Sequence, residues 1–132
     1  VGKRTFHAII ATIAVVGLSL GFTAVAASAA PAGSAKIAAI RGCPDVPNRD
    51  VGRGDNNAYV LEVQCLLNYA VNPNTYHFIA EDGDFGSDTR GKVIKFQQCA
   101  NLWGAGLVVD GRVGPKTAPH LEFWAASSAY VC

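Results

Sequence analysis

The chain has 132 residues, with 11 Lys and Arg against 10 Asp and Glu, four cysteines, and half of its residues apolar. This length admits one ordinary domain. The nearly balanced charge excludes the strongly basic surface on which sequence-independent nucleic-acid binding depends, so no nucleic-acid partner is expected.

The first feature in chain order precedes any fold. Lys3 and Arg4 lead into an apolar run from Ala8 to Ala27 that ends in the small-residue stretch "AASAAPAG". This is the pattern of a secretory signal peptide over 1–29, with an A-x-A site expected to be cut after Ala29. The rival reading is a retained anchor, because the run is nearly long enough to cross a bilayer. Gly17 and Gly21 weaken it and no positive stop-transfer cluster follows, so no stable membrane association is expected after cleavage. The chain opens on Val1 and contains no methionine, as a bacterial precursor with a non-AUG start codon would. Next, "APAGSAKIAAIRG" at 30–42 is rich in Ala, Gly and Pro, lacks an amphipathic period and reads as a flexible leader. The packed domain is expected over 43–132. With Lys3 and Arg4 removed, nine basic residues face 10 acidic ones, a formal charge of −1.

All four cysteines, Cys43, Cys65, Cys99 and Cys132, lie in the exported portion. An even count in a small secreted chain points to a disulfide framework, which helps a domain with a modest core to stay folded. Four cysteines allow three connectivities, and sequence alone does not choose between them. The preferred pairing is Cys65–Cys99, joining two helices, with Cys43–Cys132 tying the ends of the domain together. No C-x-x-C or Cys/His cluster has zinc-finger spacing, so no metal or other cofactor is expected.

Three helices follow from periodicity. In "DNNAYVLEVQCLLNYA", Val60, Val63 and Leu67 fall at i, i+3 and i+7 with Leu66 beside them, and the leading Asp and Asn residues can cap the first free N–H groups. In "GSDTRGKVIKFQQCAN", Thr89, Val93, Phe96 and Ala100 form a second stripe, which starts at Gly86 or Ser87 and ends at Asn101 in a left-handed conformation. A third helix is expected from "GPKT", with Pro115 in its first position, through Leu121 and Trp124. Pro119 lacks an N–H, so either the first turn is irregular or the regular helix starts at Pro119.

The phrase D-G-x-x-G-x-x-T occurs twice, as "DGDFGSDT" from Asp82 and "DGRVGPKT" from Asp110, each just before a helix. The offset of 28 residues continues beyond it, matching Val93 to Leu121 and Phe96 to Trp124. Each Asp-Gly is expected to form a tight turn, because Asp bonds nearby backbone and Gly accepts positive φ. The later glycines, Gly86 and Gly114, are expected to permit close backbone approach at the helix start. Phe85 and Val113 are expected to point inwards as apolar plugs.

Together with Val60, Val63-Gln64, Leu67-Asn68, Val93, Phe96-Gln97 and Leu121, these two phrases make the chain resemble the peptidoglycan-binding domain of the three-helix type found attached to bacterial cell-wall hydrolases. The resemblance covers about 52–124, with 125–132 as a C-terminal tail. It implies a small, mainly α three-helix bundle with pseudo-twofold character that is secreted and holds cell-wall polymer without cutting it. Its partner would be the glycan or stem peptide of peptidoglycan, and its location extracellular or wall-associated. The chain departs from the family pattern at Asn57, where a glycine is usual. Further departures are the longer segment "VNPNTYHFIAE", the insertion "WGAGL", the extra cysteines and Pro119.

Catalytic readings find little support. His77 and His120 stand in no metal-ligand spacing, Glu81, Asp82 and Asp84 crowd one turn, and Ser127 and Ser128 lack a base and a nucleophile elbow. No enzyme is expected. For binding, sugar faces favour aromatic rings, and peptide carboxylates and amides favour Arg, Asn and Gln. The candidates beside the turns are Tyr76, Asp84, Asn101, Trp103 and Arg112. Trp103 can equally serve as a lid over the core, and Gln64 and Gln97 are expected to bond the turns internally. A second class of function is a secreted, disulfide-stabilised inhibitor or effector that reuses the fold to recognise a secreted or wall-associated protein.

Overall fold

The computed structural model describes residues 40–132, so the expected signal peptide and most of the leader lie outside the described residues. The chain enters through a short 3-10 turn, Ile40–Gly42, and then forms α1 (Ala58–Ala70), α2 (Ser87–Leu102) and α3 (Thr117–Ala126). There is no strand among the described residues. No helix among them is long and apolar enough to cross a membrane. α1 lies at the centre and packs chiefly against α3, with α2 completing the bundle.

Each helix starts for a local reason. Asn57 caps α1: its Oδ1 accepts the N–H groups of Tyr59 (3.0 Å) and Val60 (3.1 Å). The residue that departs from the family pattern therefore supplies two hydrogen bonds that a glycine would not. α2 opens on Gly86 without a side-chain cap. α3 is entered through a turn in which the Gly114 carbonyl accepts the N–H groups of Thr117 (3.0 Å) and Ala118 (2.9 Å). Pro115 therefore lies in that turn, ahead of the helix. Pro119 falls in the first turn of α3, where an N–H has no helical acceptor to reach, so its missing donor costs nothing. The regular helix thus starts at Thr117, two residues before Pro119, and neither expected alternative is the one observed.

α2 runs past Asn101, and the left-handed residue at its end is Gly104 (φ 83°). Asn101 is helical and its side chain has another task, described below.

The core consists of the expected stripes. Val60, Val63 and Leu67 of α1 and Val93, Phe96 and Ala100 of α2 are fully buried, and Leu121 of α3 joins them. Burying each such side chain contributes about 1.5–3 kcal/mol. Phe85 and Val113 plug this core from the two turns. The internal symmetry weakens at Trp124, which matches Phe96 in register but only leans on the core edge, while Ala125 occupies the buried place.

The disulfides differ from the expected pairing. Cys43 joins Cys65, and Cys99 joins Cys132. The reason is helical geometry, in which adjacent residues are turned about 100° apart. Gln64 takes the face of α1 towards the first turn, so Cys65 is rotated towards the N-terminal arm. Gln97 does the same on α2, so Cys99, two residues on, faces the C-terminal tail. Each bridge thus staples one end of the packed domain to a helix and neither joins two helices. The tail is also docked by Val131 N–H on the Ala70 carbonyl (2.8 Å) and by Asn72 N–H on the Cys132 carbonyl (3.1 Å).

Candidate functional site

The two turns are built alike, apart from one N–H bond to the glutamine that the first makes and the second does not. Gly83 (φ 78°) and Gly111 (φ 74°) adopt the positive φ that Asp-Gly turns require. Asp82 Oδ1 accepts the Asp84 N–H (2.9 Å), and Asp110 Oδ1 accepts the Arg112 N–H (2.9 Å). A buried glutamine then clamps each turn. Gln64 Nε2 donates to Asp82 Oδ1 (2.8 Å), the Asp84 carbonyl (2.9 Å) and Thr89 Oγ1 (3.0 Å), while its Oε1 accepts the N–H groups of Asp82 (3.0 Å) and Gly83 (2.9 Å). Gln97 Nε2 donates to Asp110 Oδ1 (3.0 Å), the Arg112 carbonyl (2.9 Å) and Thr117 Oγ1 (3.4 Å), and its Oε1 accepts the Gly111 N–H (2.9 Å). The aspartate, the first glycine and the threonine of the repeated phrase are all explained by this clamp. The later glycines are not: a Cβ on Gly86 would meet nothing, and one on Gly114 would make only ordinary contact with Asp50.

One helical turn beyond each glutamine stands an asparagine with a matching role. Asn68 donates to the Ile79 carbonyl (3.0 Å) and accepts the Ile79 N–H (3.1 Å). Asn101 does the same with Leu107 (2.8 and 2.6 Å). Ile79 and Leu107 each lie three residues before an Asp-Gly, so the asparagines close the two long loops onto the frame. The repeated Q-x-x-x-N, in "QCLLN" and "QQCAN", was the signal in the sequence for this pair.

A further residue had no such signal. Lys92 is fully buried on α2, its Nζ donating to Asn68 Oδ1 (2.8 Å) and the His77 carbonyl (2.9 Å) under the ring of Phe78. Burial pushes its pKa down to about 8, against the pull of the Glu81 carboxylate.

Two clefts flank the clamped turns. The first, of about 250 Å³, is lined by Ile79, Ala80, Asp82, Asp84, Asp88 and Thr89, among others. The second, of about 340 Å³, is lined by Asp50, Val108, Asp110, Arg112, Pro115 and Lys116, among others. The segment leading into α1 touches both turns, pairing Asn56 with Asp84 and Val51 with Val113. In the first cleft the Asp84 N–H, then the Gln64 amide, hold the Asp82 carboxyl below its ordinary range. In the second, burial pushes Asp110 up, but the Arg112 N–H, the Gln97 amide and the Arg112 charge outweigh it, and the net shift is downward. Arg112 donates from Nε (3.1 Å) and Nη2 (2.8 Å) to Asp50 Oδ1.

The expected site residues occupy separate places. Asp84 lies in the first cleft and bonds Asn56. Tyr76 stands nearby, its hydroxyl on the Asp88 carbonyl (3.4 Å) and its ring over Gly91, where a Cβ would collide with it. Arg112 lies in the second cleft. Asn101 has both amide atoms engaged by Leu107. Trp103 sits at the far end of α2, 68% exposed, with its indole N–H on the Val131 carbonyl (2.8 Å) and its ring 5.6 Å from Trp124. Among the described residues, no group of three His, Cys, Asp or Glu side chains could hold a metal ion.

A duplicated turn-and-helix frame clamped by two glutamines defines a small helical binding module, and comparison with known proteins identifies its class. The chain belongs to the peptidoglycan binding domain family, whose model matches residues 56–121. It is 34% identical over 108 residues to the zinc D-Ala-D-Ala carboxypeptidase of Streptomyces albus G, an alignment covering 79% of this chain and 39% of that protein. The chain therefore spans about two fifths of that relative's length. No solved structure gives a significant match.

Proposed function

We propose that the chain is a secreted, non-catalytic module that holds bacterial peptidoglycan, by its glycan or its stem peptide, beside the duplicated turns. The observation that carries this reading is the family match over residues 56–121, which contains both turns, both glutamine clamps and the start of both clefts' helices. Relatedness to a protein named for D-Ala-D-Ala supports an extracellular or wall-associated setting, while its zinc-dependent cleavage is not carried over to a chain that spans 39% of it. Ligand contacts are assigned to Tyr76, Asp84, Trp103 and Arg112, with Asn101 acting through the loop it holds.

The test is co-sedimentation of the oxidised protein from Ala30 to Cys132 with purified sacculi, beside Trp103→Ala and Arg112→Ala variants that keep their helical circular dichroism. The parent is expected to sediment, and loss in either variant assigns the contact surface. A folded parent that stays in solution sinks the reading.

A second reading, a secreted inhibitor or effector, is favoured by one surface. Leu102 (82% exposed), Trp103 and Phe123 (65%) present apolar side chains at the ends of α2 and α3, and contiguous exposed apolar area marks protein interfaces. Exchanging Leu102 and Phe123 for serine abolishes binding under this reading and leaves sacculus binding unchanged under the first.

A further inference from the structure

The duplication places residues of opposite charge at equivalent positions. An offset of 28 carries Asp84 onto Arg112 and Asp88 onto Lys116, and each pair lines its own cleft. The frames beneath are the same clamp, so the difference between the clefts lies in what they can attract. The first presents three carboxylates, Asp82, Asp84 and Asp88. In the second, the carboxylates of Asp50 and Asp110 are matched in number by Arg112 and Lys116, with Asp50 paired to Arg112 and the Oδ1 of Asp110 accepting the Gln97 amide and the Arg112 N–H. The Lys116 charge has no partner among the described residues.

Arg112 is held ready. A Cβ on Gly52 would stand 2.6 Å from Nη1, so the glycine is what lets the guanidinium lie against the backbone. Asp50 fixes its Nε and Nη2 edge, and Nη1 makes no hydrogen bond to other described residues. A cation oriented before its ligand arrives loses little side-chain freedom on binding. Val108 and Pro115 add apolar surface, and about 340 Å³ is within the range of small-ligand sites.

We propose that the second cleft binds the free C-terminal carboxylate of a short peptide, received by the Lys116 ammonium and Arg112 Nη1, with Val108 and Pro115 against a small apolar side chain. This rests on the wall-binding reading and assigns it the peptide part of the polymer at this cleft.

The experiment is a titration of the oxidised, isotopically labelled chain with acetyl-Ala-Ala, in L,L and D,D forms, followed by amide chemical shifts. At least one enantiomer is expected to shift the amides of Val108, Arg112, Lys116 and Thr117. The matching C-terminal amide should bind about tenfold more weakly, as should the acid to Lys116→Glu, a loss near 1.4 kcal/mol. Lys116 is exposed, so this variant should keep its fold, which circular dichroism checks. Equal binding of acid and amide, shifts centred on Asp84 and Asp88, or an unaffected Lys116→Glu would each overturn the proposal. Sacculi that sediment the protein while neither peptide shifts it remove this inference and leave the wall-binding reading standing. Failure of both assays removes both.

Discussion

Gln64 shows how much one buried amide carries. It bonds two N–H groups, one carbonyl, one carboxylate and one hydroxyl. Gln64→Leu keeps roughly the same volume but leaves the N–H groups of Asp82 and Gly83 without an acceptor, for which we expect a loss of about 2–4 kcal/mol in urea unfolding. Gln98→Leu, on the exposed face next to the second clamp, should change stability by less than about 0.5 kcal/mol. Lys92 is the other decisive single residue. Its pKa falls from an ordinary 10.5 to about 8 in the folded protein, so between these values the unfolded chain holds a proton that the folded one has released. Its contribution to stability is therefore fully present above 10.5 and is lost as pH falls through 8. Tyr59, whose pKa burial and then Glu62 and Glu122 raise, opposes this above pH 10. The urea midpoint should accordingly rise from pH 8 to 10 in the parent and stay flatter in Lys92→Met.

At the scale of elements, the helices were legible and the contacts of their ends were not. Apolar spacing marks the buried stripes of α1 and α2 because a helix repeats every 3.6 residues whatever surrounds it. The clamp, by contrast, joins residues 18 to 25 positions apart in the first copy, and such a pairing is decided by how turn and helix meet in space. Cysteine pairing has the same origin. Non-reducing peptide mapping should recover Cys43 linked to Cys65 and Cys99 linked to Cys132, and a Cys65–Cys99 peptide would contradict the fold described. With separations of 22 and 33 residues, losing either bridge should cost about 3–4 kcal/mol by the loop-closure model. Loss of the second should also shift tryptophan fluorescence, because Cys132 holds the tail whose Val131 carbonyl accepts the Trp103 indole N–H.

Over the whole molecule, the described chain is closed at both ends by its own side chains. Arg41 adopts a left-handed backbone (φ 53°), an uncommon conformation for a residue with a side chain. There its guanidinium donates to the carbonyls of Ala125 (2.9 Å) and Ser127 (2.6 Å), capping the end of α3. Arg41→Ala should therefore lower stability by about 1 kcal/mol in thermal unfolding, with the helices otherwise kept. The candidate binding residues are spread across this closed body, with Asp84 and Tyr76 at one turn, Arg112 at the other and Trp103 beyond the far end of α2. Nearness in sequence to the D-G phrases did not bring them together, because a helix of 16 residues separates the turn that starts it from the tryptophan that ends it.

The sequence by itself determined the helices, the buried stripes and the two Asp-Gly turns, and its repeated phrase pointed to the family. All of these rest on local backbone preference and on the period of apolar residues, which are written along the chain. Only the tertiary structure decided the cysteine partners, the asparagine closures of the two loops, the burial of Lys92 and the difference in charge between the two clefts, one lined by three carboxylates and the other by two carboxylates and two cations. Each of these depends on which helical faces meet once the core has packed, and neighbouring residues on one helix are turned about 100° apart.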